Sequence, residues 1–95
     1  MRLELSRRAQ ADLDEIRDHS VGQFGVDQTI AYLDGIERAF RQLLAFPKMG
    51  STHATLIPEI RSIGCQQHRI YYALDRDRIV VVRVLHKAMD VERWV

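Results

Sequence analysis

Arg61-Ser-Ile-Gly-Cys65, His68-Arg-Ile-Tyr-Tyr-Ala-Leu74 and Ile79-Val-Val-Val-Arg-Val-Leu-His-Lys87 follow one another in the last third of the chain and read as three consecutive strands. Asp75-Arg-Asp-Arg78 between the second and third reads as a hairpin turn although it lacks glycine. The third strand is apolar on both faces apart from Arg83, so each face needs cover. In the second, Ile70, Tyr72 and Leu74 on one face and Tyr71 and Ala73 on the other are both apolar enough to meet a helical layer, which leaves the choice of face open. Two helices cover only one face. The other suggests a bound partner or a substrate-binding concavity, or is left half-exposed as in many stable monomers.

Working back toward the N-terminus, Leu3-Glu-Leu5 alternates like a short strand and Ser6 is placed to cap the helix that follows. Ala9, Leu13, Ile16, Ser20 and Phe24 recur at helical spacing and form one narrow apolar stripe, with Arg8, Asp12, Asp14, Glu15 and Asp18 on the rest of the surface. Gly25 ends this helix, and Asp27 is expected to cap a second one carrying Ile30, Leu33, Ile36, Phe40, Leu43 and Leu44. Pro47 and Gly50 end the pair, an αα-hairpin, and a loop from Lys48 to about Thr55 leads to the strands. After Lys87 the pattern breaks into a short turn or helical tail, residues 88–95. The fold class is α+β, in the order β-α-α-β-β-β, with the helical hairpin packed on a mostly antiparallel, twisted sheet of about four strands.

Ninety-five residues suit one domain spanning residues 1–95, near the length at which burial by a partner adds noticeably to stability. The lone Cys65 has no intramolecular disulfide partner, no apolar run reaches membrane-spanning length, and the start of the chain lacks a signal-peptide core, so a cytoplasmic setting is expected. Net charge is only +1, but residues 1–47 hold six Lys/Arg against eight Asp/Glu and residues 48–95 hold eight against five. The sheet half is the basic half. Its surplus of three is far short of a nucleic-acid footprint, so sequence-specific nucleic-acid binding is not expected. Histidines 19, 53, 68 and 86 show no zinc-type spacing, and neither a metal nor a cofactor is expected.

Ser6-Arg-Arg-Ala9, Asp12-Leu-x-x-Ile16, Phe24-Gly25, Tyr32, Pro47-x-x-Gly50 and above all Arg83-Val-Leu-His-x-x-x-Asp90, set in this order of elements, resemble the ParE branch of the RelE/ParE toxin superfamily. The resemblance covers almost the whole chain. It implies the toxin of a type II toxin-antitoxin system, neutralised in a hetero-oligomer by a cognate ParD-like antitoxin. ParE-like members act on DNA gyrase, whereas RelE-like members cut mRNA in the ribosomal A site, and a shared fold does not choose between these targets.

A nuclease needs groups to take the 2′-hydroxyl proton, steady the phosphate and protonate the leaving oxygen. If the chain is RelE-like, the resemblance assigns that work to Arg61, Arg69, His86 and Lys87. Ala88 stands where RelE-like chains tend to carry an arginine, and the tail has Trp94 but no tyrosine, which favours a ParE-like inhibitor without bond chemistry. On that reading Arg61, Arg69, Arg83, His86, Lys87 and Trp94 contact the target, and Leu13, Phe24, Tyr32 and Phe40 contact the antitoxin. A non-toxic remnant that still binds antitoxin is the third reading. Set against these roles, His86 with Asp90 reads first as a staple tying the tail to the sheet, Arg61, Arg69 and Arg83 as surface charges on strand edges, and Cys65 as a small buried residue.

Overall fold

A computed structural model describes residues 1–53, 56, 59–89 and 93. Strand β1 (Arg2–Leu5) leads into helices α1 (Arg7–Phe24) and α2 (Val26–Ala45), followed by β2 (Ser51–His53), β3 (Ile60–Cys65), β4 (His68–Asp75) and β5 (Arg78–His86). The strands form one sheet in the order β1-β5-β4-β3-β2, with β1 parallel to β5 and the other neighbours antiparallel. Five strands rather than four are present because Ser51-Thr-His53, expected within a loop, pairs with Ile60, Arg61 and Ser62 at the sheet edge. Three polar residues carry no alternation that would reveal a strand. Backbone pairing alone makes it one.

Ser6 starts α1 as expected and does more. Its Oγ accepts the Ala9 N–H at 3.0 Å and donates to Val82 O at 2.8 Å, so one side chain caps the helix and fastens it to β5. Gly25, at φ 85°, closes α1 and opens α2 without an intervening loop. Asp27 is therefore not the cap of α2: the Gly25 carbonyl already accepts from Thr29 N and Oγ1, and Asp27 stands inside the first turn. Its charge there still suits the positive end of the helix.

The open choice of sheet face falls to Ile70, Tyr72 and Leu74, which pack with Ile63, Val81 and Val84 against Ala9, Ile36 and Leu43 of the helices. The opposite face holds a smaller cluster, Ile60, Tyr71 and Leu85, against which Leu56, Ala73, Val82 and Met89 pack. The helical stripes are buried more narrowly than their spacing predicts. Phe24 is 60% and Ile30 54% exposed, at the hairpin end around Gly25, and Leu44 is exposed near the other end, while Thr29 and Ala39 take buried positions.

Two sequence motifs acquire their physical meaning here. The Tyr72 hydroxyl donates to Pro47 O at 2.8 Å and accepts from Gly50 N at 2.9 Å, so Pro47-x-x-Gly50 is the socket for a buried tyrosine. A Cβ on Gly50 would lie 2.6 Å from that oxygen and 2.9 Å from Ser62 O, which requires glycine. On β5 a bulge at Val82 lets Tyr71 face Arg83 and Tyr72 face Val81, so the inward positions run Ile79, Val81, then Val84. The bulge re-aims the end of β5 toward α1. The expected hairpin turn between β4 and β5 is present, with Arg76 at φ 57° doing the work usually given to glycine.

Candidate partner-binding groove

Arg8, Asp12, Glu15 and His19 recur at spacings of four, three and four, which puts them on one side of α1, next to its buried stripe. That side, together with Phe24, Gln28 and Tyr32 around the hairpin end, faces the last residues of β5, Gln67 of the preceding turn and His68 at the start of β4. Between them lies a groove of about 1010 Å³ with Ile16, Val84, Leu85, His86 and Met89 in its lining.

Asp12 and Arg83 form its central ion pair. Arg83 donates through Nε and Nη2 to the two carboxylate oxygens, both at 2.8 Å, and Val84 N donates to the same carboxylate at 3.0 Å. The side chains are only 11% and 13% exposed. Neither is the surface charge that the sequence suggests. The Asp12 carboxylate holds the guanidinium pKa above its ordinary value, against the opposing effect of burial. The pair also closes a sheet edge: β1 accompanies β5 only as far as Val81, and beyond it Val82 O and Val84 N are taken by Ser6 and Asp12.

A second polar set stands across the groove. Tyr32 Oη accepts the Gln67 N–H at 3.0 Å and lies 2.6 Å from His68 Nδ1, so its own proton is placed on the His68 bond. The His68 ring meets Tyr32 and His86 edge-on, each at a centroid distance of 5.6 Å. Burial, followed by the neighbouring His86, pushes the His68 pKa down, with Asp12 opposing, and burial pushes Tyr32 up. His86 Nδ1 accepts from Ala88 N at 3.2 Å, a local bond that ties down the turn after β5. Asp90, its expected staple partner, lies outside the described residues, as does Trp94.

The remaining candidates are dispersed. Arg61 pairs in register with Tyr72 on the helix side, where it donates to Lys48 O and Gly50 O at 3.1 Å and meets Glu59. Arg69 lies on the opposite face, donating from Nε to Ser62 Oγ at 3.0 Å, while Ser62 Oγ lies 2.8 Å from His53 Nε2. The four residues grouped by the nuclease reading thus do not surround one point. Arg61 and Arg69 are on different faces, His86 turns toward His68, and Lys87 is exposed in the turn. Of the antitoxin candidates, Phe24 and Tyr32 line the groove, whereas Leu13 and Phe40 pack against the core. Cys65 is buried, its thiol facing Gly35 O at 3.6 Å and its pKa pushed up by burial. Among the described residues no three His, Cys, Asp or Glu gather to hold a metal ion, and no helix is long and apolar enough to cross a membrane.

The sequence reading missed Asp12 and His68 as members of this site. Asp12 was indistinguishable from its neighbours Asp14 and Glu15, because its partner Arg83 lies 71 positions away.

Comparison with known proteins agrees with this architecture. A family model described as the ParE toxin of the type II toxin-antitoxin system parDE matches residues 3–91. Toxin ParE1 of Mycobacterium tuberculosis is 37% identical over 90 residues, covering 94% of this chain and 92% of that protein. Toxin ParE1 of Caulobacter vibrioides is 33% identical over 86 residues, covering 90% and 88%. In three dimensions, a chain of the chromosomal ParDE toxin-antitoxin system from P. aeruginosa superposes with a TM-score of 0.78 at 23% identity, covering 90% of this chain and 95% of that one. With the match running from β1 past the end of β5, the chain belongs to the ParE toxin family of type II toxin-antitoxin systems.

Proposed function

We propose that the chain is a toxin that inhibits DNA gyrase by binding it, without bond chemistry of its own, and that a ParD-like antitoxin neutralises it from the groove between α1, the start of α2 and the end of β5. The observation that carries the inhibitor reading is the dispersal of Arg61, Arg69, His86 and Lys87, because a phosphoryl-transfer site needs its cations converging on one phosphate. Arg61 and Arg83 act through architecture, clasping the loop at residues 48–50 and the edge of β5. Arg69, His86, Lys87 and Trp94 remain the target contacts in this proposal.

The groove suits an amphipathic helix. Its lining supplies apolar contacts from Ile16, Phe24, Val84, Leu85 and Met89, while Ser6 and Asp12 already occupy edge groups of β5 that an added strand would need. Side-chain packing, not strand addition, is the mode that fits. The protein would act in the cytoplasm, where both partners are made. Supercoiling by purified gyrase, run beside mRNA cleavage on programmed ribosomes, tests the reading: inhibited gyrase with intact mRNA supports it, and cut mRNA with unaffected gyrase replaces it with the nuclease.

A further inference from the structure

His68 and His86 both line the groove, and among the described residues only the Nδ1 atom of each ring has a hydrogen-bond partner. Tyr32 Oη accepts from Gln67 N and directs its proton to His68 Nδ1; Ala88 N–H does the same to His86 Nδ1. Each neutral ring therefore carries its proton on Nε2, a tautomer assigned from the bonding network. Neither Nε2 has a partner among the described residues, and the edge-on rings at 5.6 Å line the same mouth.

The surroundings narrow the ligand. A metal ion needs a lone pair on Nε2, which these bonds withhold. A nucleic-acid strand would bring repeated charges against Glu15 and an apolar lining of Ile16, Phe24 and Met89. A helix has no backbone carbonyl to spare except at its end. One acidic side chain on an otherwise apolar helix face satisfies both donors. Among the described residues, the charged and titratable groups facing the site are Arg8, Glu15 and His19 from α1, and Asp12 with Arg83, which neutralise each other; Tyr32 completes it from α2.

We propose that His68 and His86 together receive an Asp or Glu carboxylate from the antitoxin segment in the groove, so that the complex tightens as pH falls. The inference rests on the groove reading above. In the free protein burial, followed by the neighbouring His86, holds the His68 pKa below its ordinary value, and a carboxylate set against the ring favours its imidazolium form. A histidine whose pKa rises by one unit on binding strengthens the complex by roughly tenfold at pH values below its free-state pKa, and by less between the free and bound values.

The test is calorimetric titration of the protein with its antitoxin at pH 8 and pH 6, using the antitoxin and its single Asp→Asn and Glu→Gln variants. The expected result is binding about tenfold tighter at pH 6, a gain lost in one acid-to-amide variant and in His86→Gln, and retained in His53→Gln, whose ring bonds Ser62 away from the groove. His68→Phe removes both the donor and the Tyr32 partner, so His86→Gln is the arm that keeps the native bond to Tyr32 intact. Binding of equal strength at both pH values, or a pH effect spread over every acidic position, overturns the inference while leaving the groove reading in place. An antitoxin that binds with Phe24→Asp as tightly as with the native groove overturns both.

Discussion

Asp12 and Arg83 stand 71 positions apart and meet through two hydrogen bonds of 2.8 Å. With Val84 N on the same carboxylate, this pair joins the first helix to the strand where the chain carries its family signature. Truncating one partner leaves a charge that is nine-tenths out of water without its counter-ion. Asp12→Ala is predicted to cost about 3 kcal/mol or more, measured by urea unfolding. Replacing both residues by apolar ones of similar volume is predicted to recover much of that loss, since the pair carries its own desolvation cost.

Tyr72→Phe leaves Gly50 N–H and Pro47 O without the hydroxyl that now bridges them. The expected loss is about 1–3 kcal/mol. Gly50→Ala is predicted to be more damaging than a typical exposed Gly→Ala change, because the new methyl group would meet both Tyr72 Oη and Ser62 O. Thermal unfolding of the two variants side by side checks the ranking.

How far the sequence disclosed this protein depends on the range over which each feature is encoded. Ser6, the stripe from Ala9 to Ile16, Gly25 and the three long strands were legible because caps, periodicity and β-branched runs act within a few residues. Strand β2 was not, since Ser51-Thr-His53 owes its conformation to neighbours some ten residues ahead. The groove was legible only in part. Phe24 and Tyr32 line it, whereas Leu13 and Phe40 face the core, because an amphipathic stripe marks what is apolar without saying which part the sheet covers. Asp12 and His68 take their roles from partners in distant segments, and nothing in their local sequence separates them from ordinary surface residues.

Acidification offers a separate check on the groove. The folded-state pKa of His68 lies below its ordinary value of 6.5, so the unfolded chain takes up the proton first as pH falls. The contribution of His68 to stability is then full above about pH 6.5 and is lost as pH drops through its folded value. Denaturation midpoints from pH 7.5 to pH 5 are predicted to decline, and His68→Gln to flatten that part of the decline. A native protein whose His68 imidazole titrates above 6.5 by NMR would contradict the assignment.

Phe24 is 60% exposed, so its loss should leave the fold untouched. Phe24→Asp is predicted to change unfolding free energy by about 0.5 kcal/mol or less and to weaken antitoxin binding at least tenfold. Arg61→Ala should behave in the opposite way, lowering stability through the freed carbonyls of Lys48 and Gly50 and sparing antitoxin affinity. Paired unfolding and binding measurements on the two variants separate groove from scaffold.

The central claim, inhibition of gyrase by binding, is met most directly by quantifying gyrase cleavage complexes on supercoiled DNA with the purified protein, then adding antitoxin. The account predicts dose-dependent trapped complexes with Arg61→Ala as effective per folded molecule as the native chain, and their disappearance once antitoxin fills the groove. Gyrase that turns over normally at every toxin concentration, while the same preparation arrests growth, would contradict it.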